Sequence, residues 1–185
     1  SNRKMLTIDG SPIAEVDVHA SALQILAGYS ETKFTLPDVS DLYQAGQLQN
    51  LNREVIKTLV QVALNSSKSL LAREYWPKSI TDDEEKKALI EGDGIPWTTY
   101  GDELAHTYPA LTKLPNDFGM RLFRVESDII VQAMLKLLEV EIGCLSVHDC
   151  LVVSYDKVDE AKKAFADACA QFGFKPPKLK IDYLV

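Results

Sequence analysis

The feature that most constrains the fold of this chain is a pair of apolar runs near its C-terminus. Cys144–Val147 and residues 150–153 each have the length and composition of a short strand, and only His148 and Asp149 separate them. Two such runs joined by two polar residues predict a β-hairpin. The sequence therefore places a histidine and an aspartate at the tip of an antiparallel pair of strands.

The segments around this hairpin predict a sheet packed against helices. Residues 13–18 alternate as a short strand and residues 19–28 then follow a helical pattern. A long helix is predicted over about 117–142, ended by Gly143, and a second helix over 158–172 precedes a last strand, Leu179–Leu184. The predicted buried stripe of the long helix is Ile130, Ala133, Met134, Leu137 and Leu138. This order of elements predicts an α+β fold with an antiparallel sheet.

The first half of the chain supplies a predominantly helical portion. Asn52 is a predicted cap for a helix that reaches Asn65, with a core face formed by Val55, Leu59, Val62 and Ala63. Thr81 and Glu84 form a capping-box pattern that opens an acidic helix ending near 92–94. The Trp-Pro and Pro-Trp pairs on either side indicate a loop-rich insertion. We predict one domain over 1–185, with about 31–115 inserted and 116–185 carrying the long helix, hairpin, helix and strand.

Composition narrows the classes of protein that fit. No apolar run approaches the roughly 20 residues that span a bilayer, so no membrane partner is expected. The three cysteines, Cys144, Cys150 and Cys169, lack metal-ligand spacing, which indicates reduced thiols and a cytoplasmic location. A net charge of −7 argues against binding nucleic acid through a basic surface of the chain's own. Part of this charge lies in the acidic segment 82–85.

Two aspartates stand at the ends of predicted strands. Asp17 follows an apolar strand and Asp149 lies at the hairpin tip. Carboxylates on adjacent strands can hold a pair of divalent cations that activate a 3′-hydroxyl and stabilise leaving pyrophosphate. Mg²⁺ takes only one or two carboxylates and completes its coordination with water and phosphates. The alternative is that Asp17 caps the following helix and Asp149 is a turn residue.

Cations follow one face of the predicted helix that begins near Asn52. Arg53 and Lys57 are four residues apart, and Asn65 lies two turns farther along nearly the same face. Such a row can neutralise the phosphates of a nucleoside triphosphate. The alternative is an ordinary solvent-facing surface of an amphipathic helix.

Together these elements resemble the palm and fingers of family A DNA polymerases and phage-type single-subunit RNA polymerases. Asp17-Val-His-Ala-Ser-Ala-Leu-Gln24 is similar to the first palm motif, and Arg53-x-x-x-Lys57 with Asn65 is similar to the fingers motif. Val147-His-Asp-Cys150 resembles the hairpin motif. The preceding helix, with Glu126-Ser-Asp-Ile-Ile130 and Gln132-Ala-Met134, resembles the helix before that hairpin. The resemblance covers most of residues 10–185 except 69–115.

The resemblance implies a polymerase-palm-like sheet with a catalytic hairpin and a reduced helical fingers portion. It implies two Mg²⁺ or Mn²⁺ ions and a role for each matching residue. Asp17, Asp149 and the Val18 carbonyl would bind metal, and Arg53 and Lys57 would bind the triphosphate, with Lys57 donating a proton to pyrophosphate. Asn65 and Ala22 would lie beside the nucleotide, His148 would support the primer end, and Gln24 would lie near the minor groove. His19 and His106 match no motif and are interpreted as structural or surface residues.

The implied activity is template-directed nucleotidyl transfer in DNA replication, with nucleoside triphosphates and a primer-template as partners. Further polymerase domains or replication subunits outside this chain are expected as well. The chain departs from the family pattern at Asn65 and Ser66, where an aromatic residue and a glycine are usual, and no thumb is visible. The alternative is therefore a catalytically degenerate palm that binds nucleic acid or serves as a scaffold. Ala22 stands where the DNA polymerases usually carry a glutamate, which predicts weak discrimination between ribose and deoxyribose.

Overall fold

A computed structural model describes residues 5–29, 35–65, 94–115 and 118–184, together with Glu84, Ala88 and Gly92. By internal contacts the chain divides into two compact units. The first comprises Ser1–Gly28 and Leu122–Val185, and the second comprises Tyr29–Arg121. No helix within the described residues is long and apolar enough to cross a membrane.

The first unit is built on a five-stranded antiparallel sheet, which confirms the predicted α+β class. Its strands are β1 (Thr7–Ile8), β2 (Ser11–Val18), β3 (Cys144–Val147), β4 (Cys150–Ser154) and β5 (Leu179–Leu184). The order is β1-β2-β4-β3, and β5 pairs with β2. Strand β1 was not predicted from the sequence. It turns into β2 through Asp9 and Gly10, both at positive φ, which is the geometry that an Asp-Gly hairpin turn requires.

The two faces of the sheet differ because side chains alternate along each strand. Ala14, Val16, Leu151 and Val153 share one face and are fully or almost fully buried. Ile13, Cys150 and Val152 form a separate small cluster on the opposite face, with Ile8, Val147 and Leu184 packed against it. Asp17 belongs to that second face, since it pairs with Cys150. The sheet thus presents one apolar face and one face that is apolar only in part.

Three helices accompany this sheet: α1 (Ser21–Gly28), α4 (Phe118–Glu139, in the first unit from Leu122) and α5 (Val158–Gln171). Helix α1 begins two residues later than predicted because Ala20 adopts φ 48° and turns the chain between β2 and the helix. On α5, Ala161, Phe165 and Ala168 are buried, whereas Phe172 lies just beyond the helix and is exposed. The helix therefore ends one residue before its predicted end at 172.

The end of α4 differs from the prediction. Glu141, and not Gly143, adopts the left-handed conformation, with φ 59°. The Ile142 amide donates to the Leu137 carbonyl and the Glu141 amide donates to that of Leu138, which together form a Schellman motif. Leu138 is 68% exposed although it was predicted in the buried stripe, since the helix buries Ala133 and Leu137 and position 138 turns away by about 100°.

The second unit contains α2 (Arg53–Asn65), α3 (Trp97–Thr107) and short 3-10 turns at Leu42–Gln44, Gly46–Asn50 and Pro109–Thr112. The predicted cap is confirmed, because Asn52 Oδ1 accepts from the amides of Glu54 and Val55. Three predicted core residues of α2, Val55, Leu59 and Ala63, are buried, whereas Val62 is only partly buried. The acidic helix predicted from Thr81 lies almost wholly outside the described residues, as do segment 82–85 and the Trp76-Pro77 pair.

Candidate active site

The site is centred on the point where β2 meets the β3–β4 hairpin. Asp17, near the C-terminal end of β2, pairs with Cys150 of β4 on one side and with Lys180 of β5 on the other. Asp149 directly precedes Cys150. The fold therefore brings together two aspartates that are 132 residues apart in sequence (149 − 17), one on β2 and one in the turn that leads into the neighbouring strand β4.

The hairpin tip is a two-residue turn, as the sequence predicts. Val147 and Cys150 are the last paired residues, so His148 and Asp149 form the turn itself. His148 adopts φ 55° and is exposed. A positive φ is uncommon for a residue other than glycine, although histidine, asparagine and aspartate are enriched there. This conformation sets the direction in which both turn residues leave the sheet.

Ser21, the first residue of α1, links that helix to the hairpin. Its hydroxyl donates a hydrogen bond to Asp149 Oδ2 at 3.2 Å, and its side chain is 9% exposed. The left-handed turn at Ala20 places Ser21 immediately after the strand that carries Asp17. Asp149 is therefore held by a hydroxyl that comes from the same β2–α1 segment as the other aspartate.

Electrostatics at this point disfavour a negative charge on Asp17. Its pKa is raised from 3.8 to about 6, chiefly by burial, then by the negative charge of Asp149. Lys180 and the Val18 amide oppose the shift, and Asp182 adds to it. Two carboxylates that repel one another in this way leave negative charge uncompensated, which is the condition under which a divalent cation binds well.

Glu126 of α4 is a third acidic side chain at the site, and no role was predicted for it from the sequence. It is partly buried, and its pKa is raised by burial first and by Asp149 and Asp17 to a smaller degree, while the Ser21 hydroxyl lowers it. The signal was present, since Glu126 interrupts the buried face of α4 between Leu122 and Ile129. A carboxyl on an otherwise apolar helix face is unusual enough to mark a site.

The donor set suits a cation that shares its coordination with a substrate. Among the residues that the structure describes, no three His, Cys, Asp or Glu side chains are grouped closely enough to enclose a metal ion. Asp17 and Asp149 supply the one or two carboxylates that Mg²⁺ typically takes when water and phosphates complete its coordination. Two carboxylates are compatible with Mg²⁺ or Mn²⁺ to which a substrate also binds, and the described residues form no complete metal cage.

The other two predicted site residues of the first unit that lie on α1 are Gln24 and Ala22. Gln24 has a defined structural role, because its amide nitrogen donates to the carbonyls of His19 and Lys178 and its oxygen accepts from the Lys178 amide. These bonds tie α1 to the segment before β5 and occupy the side chain predicted to face nucleic acid. Ala22 is partly buried on the same helix.

The two cations of α2, Arg53 and Lys57, belong to the second unit and differ in their ion pairs. The Arg53 guanidinium pairs with Asp41 at 2.5 Å and with Glu54 at 2.8 Å, and lies 5.2 Å from the centroid of the Tyr43 ring. Lys57 is exposed, and no described residue forms an ion pair with it. Asn65 is exposed at the end of the helix and donates to the Gln61 carbonyl. Of the predicted triphosphate contacts, Lys57 is the one whose charge is not already balanced.

His106 is exposed on α3, and the His19 amide donates to the Lys178 carbonyl.

No protein-family model matches this chain, and no curated protein matches it in sequence.

Proposed function

We propose that this chain is the palm core, with part of the fingers, of a template-directed nucleotidyltransferase. The observation that carries the proposal is the pairing of Asp17 with Cys150, which sets the Asp17 carboxylate on β2 close to the repelling Asp149 carboxylate in the turn before β4. That is the arrangement needed for two divalent ions to act on a phosphoryl group. The same residues also occur in the order and with the spacing of the polymerase motifs that the sequence resembles.

In the proposed reaction a primer 3′-hydroxyl attacks the α-phosphorus of a nucleoside triphosphate. A new bond forms between that oxygen and the α-phosphorus, the bond from the α-phosphorus to the oxygen shared with the β-phosphate breaks, the hydroxyl proton passes to solvent, and pyrophosphate leaves. Asp17 and Asp149 would hold the ions, with the Val18 carbonyl as a further ligand. When bound, those ions would supply charge to activate the hydroxyl and to stabilise the leaving group.

The other residues have positioning and proton-transfer roles in this proposal. Lys57 would neutralise the triphosphate and donate a proton to pyrophosphate, since its ammonium is exposed and unpaired among described residues. His148 would support the primer end. Ser21 would orient Asp149 through its hydrogen bond. Arg53 could bind the triphosphate together with Lys57 only if its guanidinium gave up its ion pairs with Asp41 and Glu54.

Primer extension tests the proposal directly. The chain is incubated at low salt with a primer-template, Mg²⁺ or Mn²⁺, and either dNTPs or NTPs. We expect extension that falls by about 10²-fold or more in Asp17→Asn and Asp149→Asn, since each removes charge that acts on the transition state. Glu15→Gln is the matched control, because Glu15 lies on the same face of β2, two residues before Asp17.

The alternative is a degenerate palm that binds nucleic acid without catalysis. The observation that favours it is the pairing of Arg53 with two carboxylates, which leaves one unpaired cation of the two predicted. Under this alternative the chain binds primer-template in a fluorescence-anisotropy titration, extends nothing, and retains its affinity in Asp17→Asn. Extension that survives both aspartate substitutions would contradict the catalytic proposal.

A further inference from the structure

The segment between α5 and β5 concentrates positive charge in a chain whose net charge is −7. Lys175, Lys178 and Lys180 occupy three of the positions from 175 to 180, and no acidic residue lies between Asp167 and Asp182. All three lysines are exposed, and we call them the lysine strip. A local concentration of lysines in an otherwise acidic chain is the electrostatic signature of a surface that binds a polyanion.

The backbone of the lysine strip is held in place by hydrogen bonds. The Lys178 carbonyl accepts from the His19 amide at 2.9 Å and from the Gln24 side chain at 3.0 Å. The Lys178 amide donates to Gln24 Oε1 at 2.7 Å, and Lys180 lies on β5. The prolines at 176–177 fix φ in the intervening backbone. Binding through the strip therefore requires ordering of the lysine side chains but not of their backbone, which lowers its entropy cost.

The lysine strip lies beside both carboxylates of the candidate active site. Lys180 is the cross-strand partner of Asp17, and residues directly opposite one another point to the same face of a sheet. Lys175 lines the same open space as Asp149. A ligand held along the strip would therefore lie next to the point where β2 meets the hairpin turn.

The ammonium groups of the strip can exchange their present contacts for an anion. Lys180 pairs with Asp182 at 2.5 Å, but the two side chains are 59% and 43% exposed. An exposed ion pair of this kind contributes about 0–1 kcal/mol, so a phosphate can replace the Asp182 carboxylate at little cost. None of the described residues forms an ion pair with Lys175.

We propose that the lysine strip binds the sugar-phosphate backbone of a nucleic acid strand and so holds that strand beside Asp17 and Asp149. A row of cations matches the regular negative charge of a phosphodiester chain, and this attraction does not depend on base sequence. The choice of a nucleic acid rests on the proposed function, because the strip borders the carboxylates at which a primer end would react. An anionic membrane surface is the competing partner, since it attracts exposed lysines by the same charge.

Fluorescence anisotropy of a labelled primer-template measures this binding to the full chain without metal or nucleotide. We expect a dissociation constant on the order of 10 μM at 50 mM salt. The triple variant Lys175→Gln, Lys178→Gln and Lys180→Gln should bind at least about tenfold more weakly. Its slope of log K against log salt should be smaller in magnitude by about 2–3, because each lost phosphate contact removes about 0.9.

A second triple variant, Lys157→Gln, Lys162→Gln and Lys163→Gln, is the matched control. It removes the same charge from α5 and the turn before it, which follows the end of β4 away from the hairpin turn. We expect its salt slope to equal that of the wild type, since the overall charge of the chain changes equally in both variants. A loss of affinity as large in the control as in the strip variant would overturn the proposal.

Three further outcomes would also overturn it. They are a wild type that does not bind primer-template at 50 mM salt, equal affinity and salt slope in the wild type and the strip variant, and wild-type binding confined to phosphatidylserine vesicles in a sedimentation assay. If the triple strip variant does not fold, each single variant should reduce the slope by about 0.9, and three unchanged slopes would overturn the proposal.

Primer extension separates this proposal from the polymerase proposal. Weakened binding by the strip variant, together with a wild type that extends no primer, would contradict only the polymerase proposal. Extension by the wild type, together with binding and extension that are unchanged in the strip variant, would contradict only the role of the lysine strip.

Discussion

Asp17 and Cys150 face one another across β2 and β4, so the residue before Cys150, Asp149, is the second acidic group at the same point of the sheet. This one pairing joins the first palm-like motif to the hairpin motif. It also accounts for the raised pKa of Asp17, because the side chain is partly buried and has a second carboxylate nearby. The consequences of this arrangement can be measured without assuming any activity.

The first prediction concerns stability and pH. Because the pKa of Asp17 is about 6 in the folded chain and 3.8 ordinarily, the folded state binds its proton more tightly. Stability contributed by this group is therefore highest at low pH and falls as pH rises from about 4 to about 6, after which it is constant. Asp17→Asn should be more stable than the wild type by about 1–3 kcal/mol above pH 6, after allowance for partial exposure, and equal to it near pH 4.

Urea unfolding at several pH values from 4 to 8 provides the measurement, with Glu15→Gln as the control on the same strand. A wild-type and Asp17→Asn pair whose stability difference does not change with pH would contradict the predicted electrostatics.

The second prediction separates the two cations of α2. Arg53→Ala should lower the free energy of unfolding by about 0.5–1 kcal/mol, because it removes the partner of Asp41 and Glu54. Lys57→Ala should leave stability unchanged, since Lys57 is exposed. If Lys57 binds the triphosphate, the same change should weaken affinity for a nucleoside triphosphate with Mg²⁺ by about tenfold. Calorimetric titration checks the affinity, and an unchanged dissociation constant would exclude the contact.

The third prediction concerns the end of α4. Glu141 holds φ 59° at the position of a Schellman motif where glycine is preferred, and its charge lies near the negative end of the helix dipole. Glu141→Gly should therefore stabilise the chain by about 0.5–1 kcal/mol, the relief of strain exceeding the entropy that glycine adds to the unfolded state. Glu139→Gly, inside the last helical turn, should destabilise by about 0.5–1 kcal/mol. Thermal unfolding of both variants distinguishes strain relief from a general effect of glycine.

The fourth prediction concerns the close approach of α2 and the start of α4 within the second unit. A Cβ atom at Gly119 would lie 2.4 Å from the Leu64 carbonyl oxygen and 2.7 Å from Asn65 Oδ1. Gly119→Ala should therefore cost about 1–3 kcal/mol, because backbone has to move to admit the methyl group. Gly143→Ala is the control, since its Cβ would meet only Ile8 Cγ2 at the ordinary distance of 3.7 Å. Equal stability of the two variants would show that the backbone next to Gly119 moves to admit the methyl group at no measurable cost in stability.

Local sequence determined the elements whose signals lie within a few residues. The apolar runs on either side of His148 and Asp149 specify the hairpin, and Asn52 specifies the start of α2, because turn and cap chemistry act over two or three positions. The alternation of residues 13–18 likewise specifies β2. The C-terminal boundary of α4 was less well determined. Gly143 was the predicted end of the helix, but the left-handed residue that ends it is Glu141.

Only the tertiary structure decided which side chains share an environment. Glu126 of α4 interacts with the Ser21 hydroxyl of α1 and with the charges of Asp17 and Asp149, and no local pattern encodes a contact between residues about a hundred positions apart. Arg53 is paired with Asp41, and Gln24 is bonded to the backbone at Lys178, so two residues with motif-like positions have structural partners. The sequence supplied the carboxylates and their motif order, and packing decided how much charge each one carries, because burial and neighbouring charge are properties of the folded chain.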